Sequence, residues 1–290
     1  MSDPVLIVGC GDVGRRVAAL GRASGRRVLG VVRSAEAVTE LQRHGIEPCQ
    51  LDLDERPARS LPAQARQIYW FAPPPAHGQT DPRLRGALEH LRDRPGTRLL
   101  YVSTSAVYGD CAGTWIDEQA PLLPRSDRGR RRLDAERALA DFAAIGGFSV
   151  VILRVPGIYG PGRLPEDRLR RGLPVVRESE CPWTNRIHAD DLARVASAAM
   201  ARAPDGAIYN VSDGNPTTMT DYFLRCARLL GLPEPEQIPL AQAHARLTPA
   251  MASFLDESKR LLTTRLQRDL AVPLLYPDLA HGLPSCMGTS

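Results

Sequence analysis

The sequence predicts an α/β protein built on a doubly wound parallel sheet, with a small C-terminal α/β lobe. Three observations point to this fold class. An apolar run at residues 5–8 leads into a glycine-rich turn and then into a helical pattern. Strand and helix patterns alternate up to residue 155, which is typical of repeated βα units. Beyond that point proline and glycine are frequent and the pattern is less regular.

Each element of the first half is predicted from the spacing of apolar residues and from turn and capping residues. The strands are expected at residues 5–8, 27–32, 47–51, 67–72, 98–103 and 149–155. The helices between them are expected after the glycine turn, where residues 17–20 show helical spacing, and at 34–44 with Ser34 as the cap, 81–92 and 127–144. This alternation predicts a Rossmann-type core over residues 1–156.

The second half of the chain gives fewer elements. We expect a short helix at 167–171, a helix at 190–202, a strand at 208–211 and a helix from Thr218 or Thr220 to Leu230. Residues 188–212 are predicted to return to the core. Residues 157–187 and 213–290 are predicted to form the substrate lobe.

The turn after the first strand has the pattern G-x-G-x-x-G, which binds a dinucleotide when a strand precedes it and a helix follows. Gly9 permits the tight turn, Gly11 lets the backbone approach a pyrophosphate, and Gly14 lets the helix pack against the strand. Free N–H groups at the helix start favour an anion. The alternative is a turn without a ligand. The predicted cofactor contacts here are Gly9, Cys10, Gly11, Asp12, Val13 and Gly14.

The composition, 43% hydrophobic and 24% charged, is that of an ordinary globular protein. No apolar run approaches the ~18 residues of a membrane span, so no membrane partner is predicted. The six cysteines are scattered without a C-x-x-C pair, which predicts neither a metal site nor disulfides and fits a reducing compartment. The first strand begins too early for a signal peptide, so we expect a cytoplasmic protein.

The net charge of +4 comes almost entirely from arginine, because Lys259 is the single lysine among 37 basic residues. Such a bias is typical of a codon preference rather than of a surface selected for nucleic acid. The densest basic run, at residues 128–132, contains no aromatic residues. A nucleic-acid partner is therefore not predicted.

Four later stretches carry a more specific signal. They are residues 101–110 (YVSTSAVYGD), 153–162 (LRVPGIYGPG), 185–193 (NRIHADDLA) and 209–214 (YNVSDG). Together they resemble, nearly end to end, the extended short-chain dehydrogenase/reductase family, in its NAD-dependent epimerase/dehydratase group. The resemblance implies a Rossmann fold, a nicotinamide dinucleotide cofactor and an oxidoreductase or epimerase activity. One departure lies in the turn, where the family's first glycine position is occupied by Val8.

A second departure concerns the family's catalytic Y-x-x-x-K pair. Alignment on Gly129 and on the Ala-Glu at 135–136 puts Arg128 at the tyrosine position and Arg132 at the lysine position. An arginine stays protonated and cannot act as a general base, but it can bind a carboxylate or a phosphate. The resemblance implies that Thr104 polarises the substrate oxygen and leaves Arg132 to bind the ribose. Thr104, Arg128 and Arg132 are the predicted catalytic residues; a solvated helix face is the alternative for the two arginines.

The cofactor preference is predicted from the end of the second strand. An NAD-specific enzyme places an acidic residue there, whereas this chain has Arg33 and Ser34, which suit a 2′-phosphate. NADP is therefore predicted, with NAD as the alternative. The resemblance further implies that Asp52 and Leu53 contact the adenine. It also implies cofactor contacts from Phe71, Ala72, Pro73, Ser103, Arg132, Pro156 and Ile158.

Three functions are compatible with these residues. The first is an NADP-dependent oxidoreductase of the epimerase/dehydratase type with a non-standard or degraded catalytic site. The second is a catalytically silent dinucleotide-binding sensor or regulatory module, as in atypical members of the superfamily that lose the tyrosine. The third is a binder of an anionic metabolite. A small-molecule substrate is expected, with a nucleotide sugar as one candidate, and a homodimer is left open. Tyr108 and Tyr159 lie near the expected cleft, in motifs that are not catalytic in the family.

Overall fold

The computed structural model describes residues 3–55, 61–62, 64–247 and 249–287. Its strands, in chain order, are β1 (Val5–Val8), β2 (Val28–Val32), β3 (Glu47–Gln50), β4 (Gln67–Trp70), β5 (Arg98–Thr104), β6 (Trp115–Ile116), β7 (Ser149–Val155), β8 (Gly157–Tyr159), β9 (Val175–Val176), β10 (Trp183–Thr184), β11 (Arg186–His188), β12 (Ile208–Asn210), β13 (Thr217–Thr218), β14 (Gln237–Ile238) and β15 (Arg260–Leu261).

The helices of the described residues flank these strands. They are α1 (Asp12–Ala23), α2 (Ala35–Arg43), α3 (Pro82–Leu91), α4 (Asp127–Ala144), α5 (Glu166–Arg170), α6 (Ala189–Arg202), α7 (Met219–Leu229), α8 (Leu240–Arg246), α9 (Pro249–Leu255), α10 (Thr264–Leu270) and α11 (Leu279–Gly282). Short 3₁₀ helices span Ser105–Tyr108, Glu178–Glu180 and Pro284–Cys286. Within the described chain, no helix is both long enough and apolar enough to cross a membrane.

Seven strands form one parallel sheet in the order β12-β7-β5-β4-β1-β2-β3. The chain moves outward from β1 to β3 and then continues on the other side of β1 at β4. Ligands of such folds bind in the crevice at the carboxyl ends of the strands, where the order reverses. The predicted doubly wound parallel sheet is confirmed.

The sheet is buried on both faces, as its apolar strands predict. In β1, Val5 and Ile7 face a core shared with α1 and α6, whereas Leu6 and Val8 face a core shared with α3 and α4. All four side chains of β1 are buried. Burial on both faces thereby fixes β1, which leads directly into the glycine turn.

Most predicted elements lie within one or two residues of their observed bounds, and the differences have local causes. The predicted strand at 67–72 ends at Trp70, because the N–H groups of Phe71 and Ala72 both donate to the carbonyl of Val8. The cap of α7 is Thr218, whose hydroxyl accepts from the N–H of Asp221 at 2.9 Å. The short strands outside the central sheet were not predicted, because two or three residues carry no periodic pattern.

The second half of the chain contributes a separate hydrophobic cluster around Tyr159, Leu169 and Phe223. Part of the segment after residue 213 lies outside this cluster, because Leu266 and Leu270 of α10 pack in the core beside α6. The division into a core and a substrate lobe at the stated boundaries stays a prediction.

A buried ion pair joins α4 to β7. Arg154 Nη2 lies 2.8 Å from Glu136 Oε2, and the two side chains are 3% and 5% exposed. Arg154 Nη1 also donates to the hydroxyl of Tyr108 at 3.0 Å, and that hydroxyl donates to Asn210 Oδ1 at 2.7 Å. The hydroxyl of Ser103 donates to Glu136 as well. These bonds connect the ends of β5, β7 and β12 through α4.

We expect Glu136→Gln to lower the free energy of unfolding by about 3 kcal/mol, because it leaves the charge of Arg154 buried without a counter-ion. Urea unfolding followed by circular dichroism measures the loss. Glu47→Gln is the matched control, because it breaks the pair with Arg27, whose side chains are about half exposed. That control is expected to cost less than about 1 kcal/mol. Similar small losses in both variants would contradict a dominant role for the buried pair.

Candidate dinucleotide and substrate site

The carboxyl ends of the parallel strands bring most of the predicted cofactor residues to one edge of the sheet. The glycine turn follows β1, Arg33 follows β2, and Phe71 follows β4. The register aligns these ends, because Val8 pairs with both Val31 and Trp70. The remaining members of this edge are Ser34, Asp52, Leu53, Ala72, Pro73, Ser103, Thr104, Pro156 and Ile158.

The glycine turn has the geometry that a pyrophosphate needs. Gly9 has a φ of +78°, and a Cβ there would lie 2.4 Å from the backbone nitrogen of Ala72. At Gly11, a Cβ would meet none of the described atoms within 4 Å. Gly9 is therefore required by the fold, whereas Gly11 leaves open space in front of the N-terminus of α1. This cradle fits the phosphates of a dinucleotide.

The two titratable side chains within the turn, Asp12 and Cys10, leave no unpaired negative charge there. Asp12, the first residue of α1, pairs with Arg163 at 2.6 Å and with Arg16 at 3.1 Å. Burial raises the pKa of Asp12, but the hydrogen bonds and charges of these arginines outweigh burial and lower the pKa overall. Burial raises the pKa of the Cys10 thiol to about 12, so this side chain stays neutral. Val13 is buried beneath the turn, and Gly14 packs against Ile7.

The residue that follows β2, Arg33, is a cation whose side chain has no partner among the described residues. The side chain of Arg33 makes no hydrogen bond or ion pair with the described residues. Ser34 caps α2 by accepting from the N–H of Ala37 at 3.3 Å. Hydrogen bonds from its own backbone and from Ser34 lower the pKa of Glu36, the nearest acidic residue. Arg33 is thus the group at this position that is available to an anion.

A cavity of about 270 Å³ lies beyond the ends of β5 and β7. Thr104, Arg128 and Pro156 line one side of it. The other side is formed by residues distant in the chain: Trp183, Phe254, Glu257 and Lys259. The cavity therefore lies where the Rossmann core meets the C-terminal segments.

Thr104 is oriented by the short helix that follows it. Its hydroxyl accepts a hydrogen bond from the N–H of Ala106 at 3.3 Å, which caps the 3₁₀ helix Ser105–Tyr108. The O–H of the same group remains available as a donor to a molecule in the cavity. A Cβ on Gly129 would lie 2.6 Å from the carbonyl oxygen of Ala106, so this glycine lets α4 approach closely. That approach brings Arg128 to the same cavity.

The two predicted arginines occupy different environments, and both are half-buried rather than on a solvated face. The guanidinium of Arg128 lies 4.1 Å from the centre of the Phe254 ring, and its Nε has no hydrogen-bond partner among the described residues. Burial lowers the pKa of Arg128, opposed by the charge of Glu257. Arg132 donates to the carbonyl of Val102 at 2.6 Å and to the hydroxyl of Tyr101 at 3.1 Å. Arg128 lines the cavity, whereas Arg132 is held against β5.

Three other side chains named in the sequence analysis, those of Ser103, Tyr108 and Tyr159, are buried and hydrogen-bonded within the protein. Ser103 is 3% exposed and its hydroxyl donates to Glu136, so its side chain does not face the cavity. Burial is the main cause that raises the pKa of Tyr108 to about 12, and its hydroxyl is bonded on both sides. Tyr159 is buried and donates to the carbonyl of Asp278 at 3.3 Å. Neither tyrosine supplies a proton to the cavity.

Sequence reasoning missed the far wall of the cavity. Trp183, Phe254, Glu257 and Lys259 lie in segments in which no motif was interpreted. The unique lysine was a visible signal, but its proximity to Thr104 and Arg128 depends on the tertiary fold. Among the described residues, no group of His, Cys, Asp and Glu side chains is placed to hold a metal ion.

We expect Gly11→Val to abolish dinucleotide binding without unfolding the protein, because its side chain fills the space in front of α1 and meets no described protein atom. Titration with NADPH and thermal unfolding measure the two effects. Gly9→Val is the contrasting variant and is expected to impair folding, because of its positive φ and the contact with Ala72. Near-original affinity in Gly11→Val would contradict the assignment of the cradle.

Comparison with known proteins agrees with this arrangement. The model of the NAD dependent epimerase/dehydratase family matches residues 5–212. Protein YeeZ of Escherichia coli (strain K12) is 28% identical over 283 residues, which cover 94% of this chain and 96% of that protein. The 3-diazoavenalumate denitrifying reductase of a Streptomyces species is 27% identical over 308 residues, covering 96% and 98% of the two chains.

A solved structure is similar over nearly the whole length. It is that of a functionally unknown conserved protein from Silicibacter pomeroyi, with 31% identity, a TM-score of 0.86 and 98% of each chain covered. The resemblance derived from the four sequence stretches is confirmed. The chain belongs to the NAD-dependent epimerase/dehydratase family.

Proposed function

We propose that the protein is an NADP(H)-dependent oxidoreductase that interconverts a carbonyl and an alcohol in the cavity beside Thr104. The observation that carries this proposal is the position of the cavity. It is lined by Thr104 and Pro156, at the same edge of the sheet as the glycine turn. A hydroxyl donor and a dinucleotide cradle on one edge are what hydride transfer to a carbonyl requires. The relationship to a reductase over 96% of the chain supports the same reaction type.

The cofactor would be held by the residues predicted from the sequence. The backbone of the glycine turn and the first N–H groups of α1 would bind the pyrophosphate. Arg33 would pair with a 2′-phosphate, since it has no partner among the described residues. Asp52 and Leu53 follow β3, where the adenine contact is expected. When bound, the cofactor supplies or accepts a hydride at its nicotinamide ring.

The substrate would be positioned by the cavity itself. Thr104 would donate a hydrogen bond to the substrate oxygen and stabilise the negative charge that develops there. Arg128 would bind an anionic group of the substrate, because its Nε lacks a partner in the described structure. The rings of Trp183 and Phe254, which are 40% and 37% exposed, would contact its apolar part.

The arrangement differs from the family's usual chemistry at one step. With Arg128 at the tyrosine position, no tyrosine hydroxyl is proposed to move the proton. The silent sensor and the binder of an anionic metabolite therefore stay as alternatives. NADPH binding without turnover favours the sensor. Binding of a nucleotide sugar without turnover favours the metabolite binder.

The cofactor preference gives a direct test. We expect the protein to bind NADPH more tightly than NADH, and Arg33→Asp to reverse that order, because attraction to the 2′-phosphate becomes repulsion. Fluorescence titration with both cofactors measures the ratio. Arg137→Asp, at an exposed position of α4, is the control for the change in net charge. Equal affinities of the unmodified protein for the two cofactors would contradict NADP as the cofactor.

Turnover tests the role of Thr104. We expect Thr104→Val to lower kcat for NADPH-dependent carbonyl reduction by about 10²-fold, because one donor to the developing charge is lost. The affinity for NADPH should not change. The substrates to be screened are 4-carboxybenzaldehyde, related aromatic carbonyl acids and nucleotide sugars, with NADPH oxidation followed by absorbance. Ser24→Ala, which removes an exposed hydroxyl at the end of α1, is the control. Full activity in Thr104→Val would place the chemistry on other residues.

A further inference from the structure

We propose that Lys259 is the catalytic proton donor, which protonates the substrate oxygen and so takes the role of the absent tyrosine. The inference rests on the proposed function and deepens it. Lys259 is the only lysine of the chain, and its side chain lies on the wall of the cavity that Thr104 and Arg128 also line.

The ion pair of Lys259 shows why it matters that this residue is a lysine rather than an arginine. Its Nζ lies 2.7 Å from Glu257 Oε2, and the two side chains are 6% and 7% exposed. The pair between Arg154 and Glu136 is equally buried and has an arginine as its cation. The Arg154–Glu136 pair shows that a buried ion pair of this chain can be made with arginine. A lysine differs in that its ammonium group is an acid that can transfer a proton, whereas a guanidinium stays protonated.

The backbone holds Lys259 in place. Its N–H donates to the carbonyl of Trp183 at 3.3 Å, and its carbonyl accepts from the Nδ2 of Asn185 at 3.0 Å. The next residue, Arg260, begins β15 and donates its N–H to the carbonyl of Thr114. Two other segments of the chain, at residues 183–185 and at Thr114, thus fix the backbone of Lys259 at the wall of the cavity.

Glu257 connects Lys259 to the start of α4. The hydroxyl of Ser126, the N-cap of α4, lies 3.5 Å from Glu257 Oε1. The charge of Glu257 also acts on Arg128. The carboxylate of Glu257 therefore lies between the cations Lys259 and Arg128. Together these three groups leave one net positive charge at the cavity. Together with the rings of Trp183 and Phe254, this charge favours a planar aromatic carbonyl compound with one negative charge.

The proposed step adds one hydride and one proton to a carbonyl group. In the direction of reduction, the carbonyl carbon receives a hydride with its electron pair from the reduced nicotinamide dinucleotide, which is oxidised. The C=O π bond breaks, and its electrons move to the oxygen, to which Thr104 donates a hydrogen bond. An N–H bond of the Lys259 ammonium breaks and the proton forms the O–H bond of the alcohol. The neutral amine then regains a proton from water, next to the carboxylate of Glu257.

The first test detects the amine without measuring turnover. 4-Carboxybenzaldehyde with sodium cyanoborohydride converts an accessible amine into a secondary amine, and peptide mass spectrometry locates the product. Lys259 is the only side-chain amine, so the N-terminal amine is an internal reference. We expect labelling of Lys259, and protection from it by excess 4-carboxybenzyl alcohol. Labelling confined to the N-terminus would overturn the inference.

The second test separates proton donation from a structural role. We expect Lys259→Arg, which keeps the charge beside Glu257, to lower kcat by about 10²-fold or more with unchanged affinity for NADPH. The double variant Lys259→Met with Glu257→Gln removes both charges of the pair. It therefore leaves no buried charge unpaired, which could impair folding if Lys259 alone were replaced by a neutral residue. It is expected to fold and to be equally slow. Turnover near the original rate in both variants would overturn the inference.

The pH profile identifies the donor. We expect kcat/KM to fall at alkaline pH in the unmodified protein, and this fall to be absent from the residual rate of Lys259→Arg. The titratable or charged groups around Lys259 are Glu257, Asp110, Cys111 and, across Glu257, Arg128. Cys111→Ser is the control, because Cys111 is a titratable thiol near Lys259 whose pKa is raised by burial. Loss of the alkaline limb in Cys111→Ser would overturn the assignment.

Failure of the proposed function gives a different result. If the unmodified protein neither binds NADPH nor oxidises it with any screened carbonyl, the oxidoreductase proposal is overturned, and proton donation by Lys259 with it. If the unmodified protein turns over and the lysine variants do as well, only the inference about Lys259 is overturned.

Discussion

The buried ion pair between Glu136 and Arg154 is the interaction on which the site depends. Within the described structure, its two charged groups bond to each other, to the hydroxyls of Ser103 and Tyr108 and to the carbonyl of Glu118. Because a buried charge without a partner is costly, α4 and the ends of β5 and β7 cannot separate without a large loss of stability. The same elements carry Thr104, Arg128 and Pro156. The pair thus stabilises the geometry of the cavity without lining it.

The cofactor edge and the substrate cavity are built in different ways. The edge is a consequence of the parallel sheet, since every carboxyl end of a strand reaches the same crevice. The cavity needs residues from the start of α4, from β10 and from the segment before β15. Backbone groups dominate the first site and side chains dominate the second.

Because this chain strongly prefers arginine, the presence of its single lysine at the cavity calls for a chemical explanation. Arginine is the cation of most of the described ion pairs, from exposed Arg27 to buried Arg154. It cannot replace lysine where a proton must be released. A chain that uses arginine at 36 of its 37 basic positions but has a lysine beside Thr104 and Arg128 combines charge and proton chemistry at one cavity.

The sequence by itself determined the sheet, its order of elements and the dinucleotide turn, because apolar periodicity and glycine spacing are local properties. Gly9 and Gly11 follow β1 at the carboxyl edge of the sheet, as the local pattern predicts, and their contact with a cofactor stays a prediction. Only the tertiary structure decided that Arg128 and Arg132 separate, and that Lys259 lies across the cavity from Thr104. Such contacts join residues more than a hundred positions apart in the chain. They arise from packing between distant segments, which no local pattern of residues encodes.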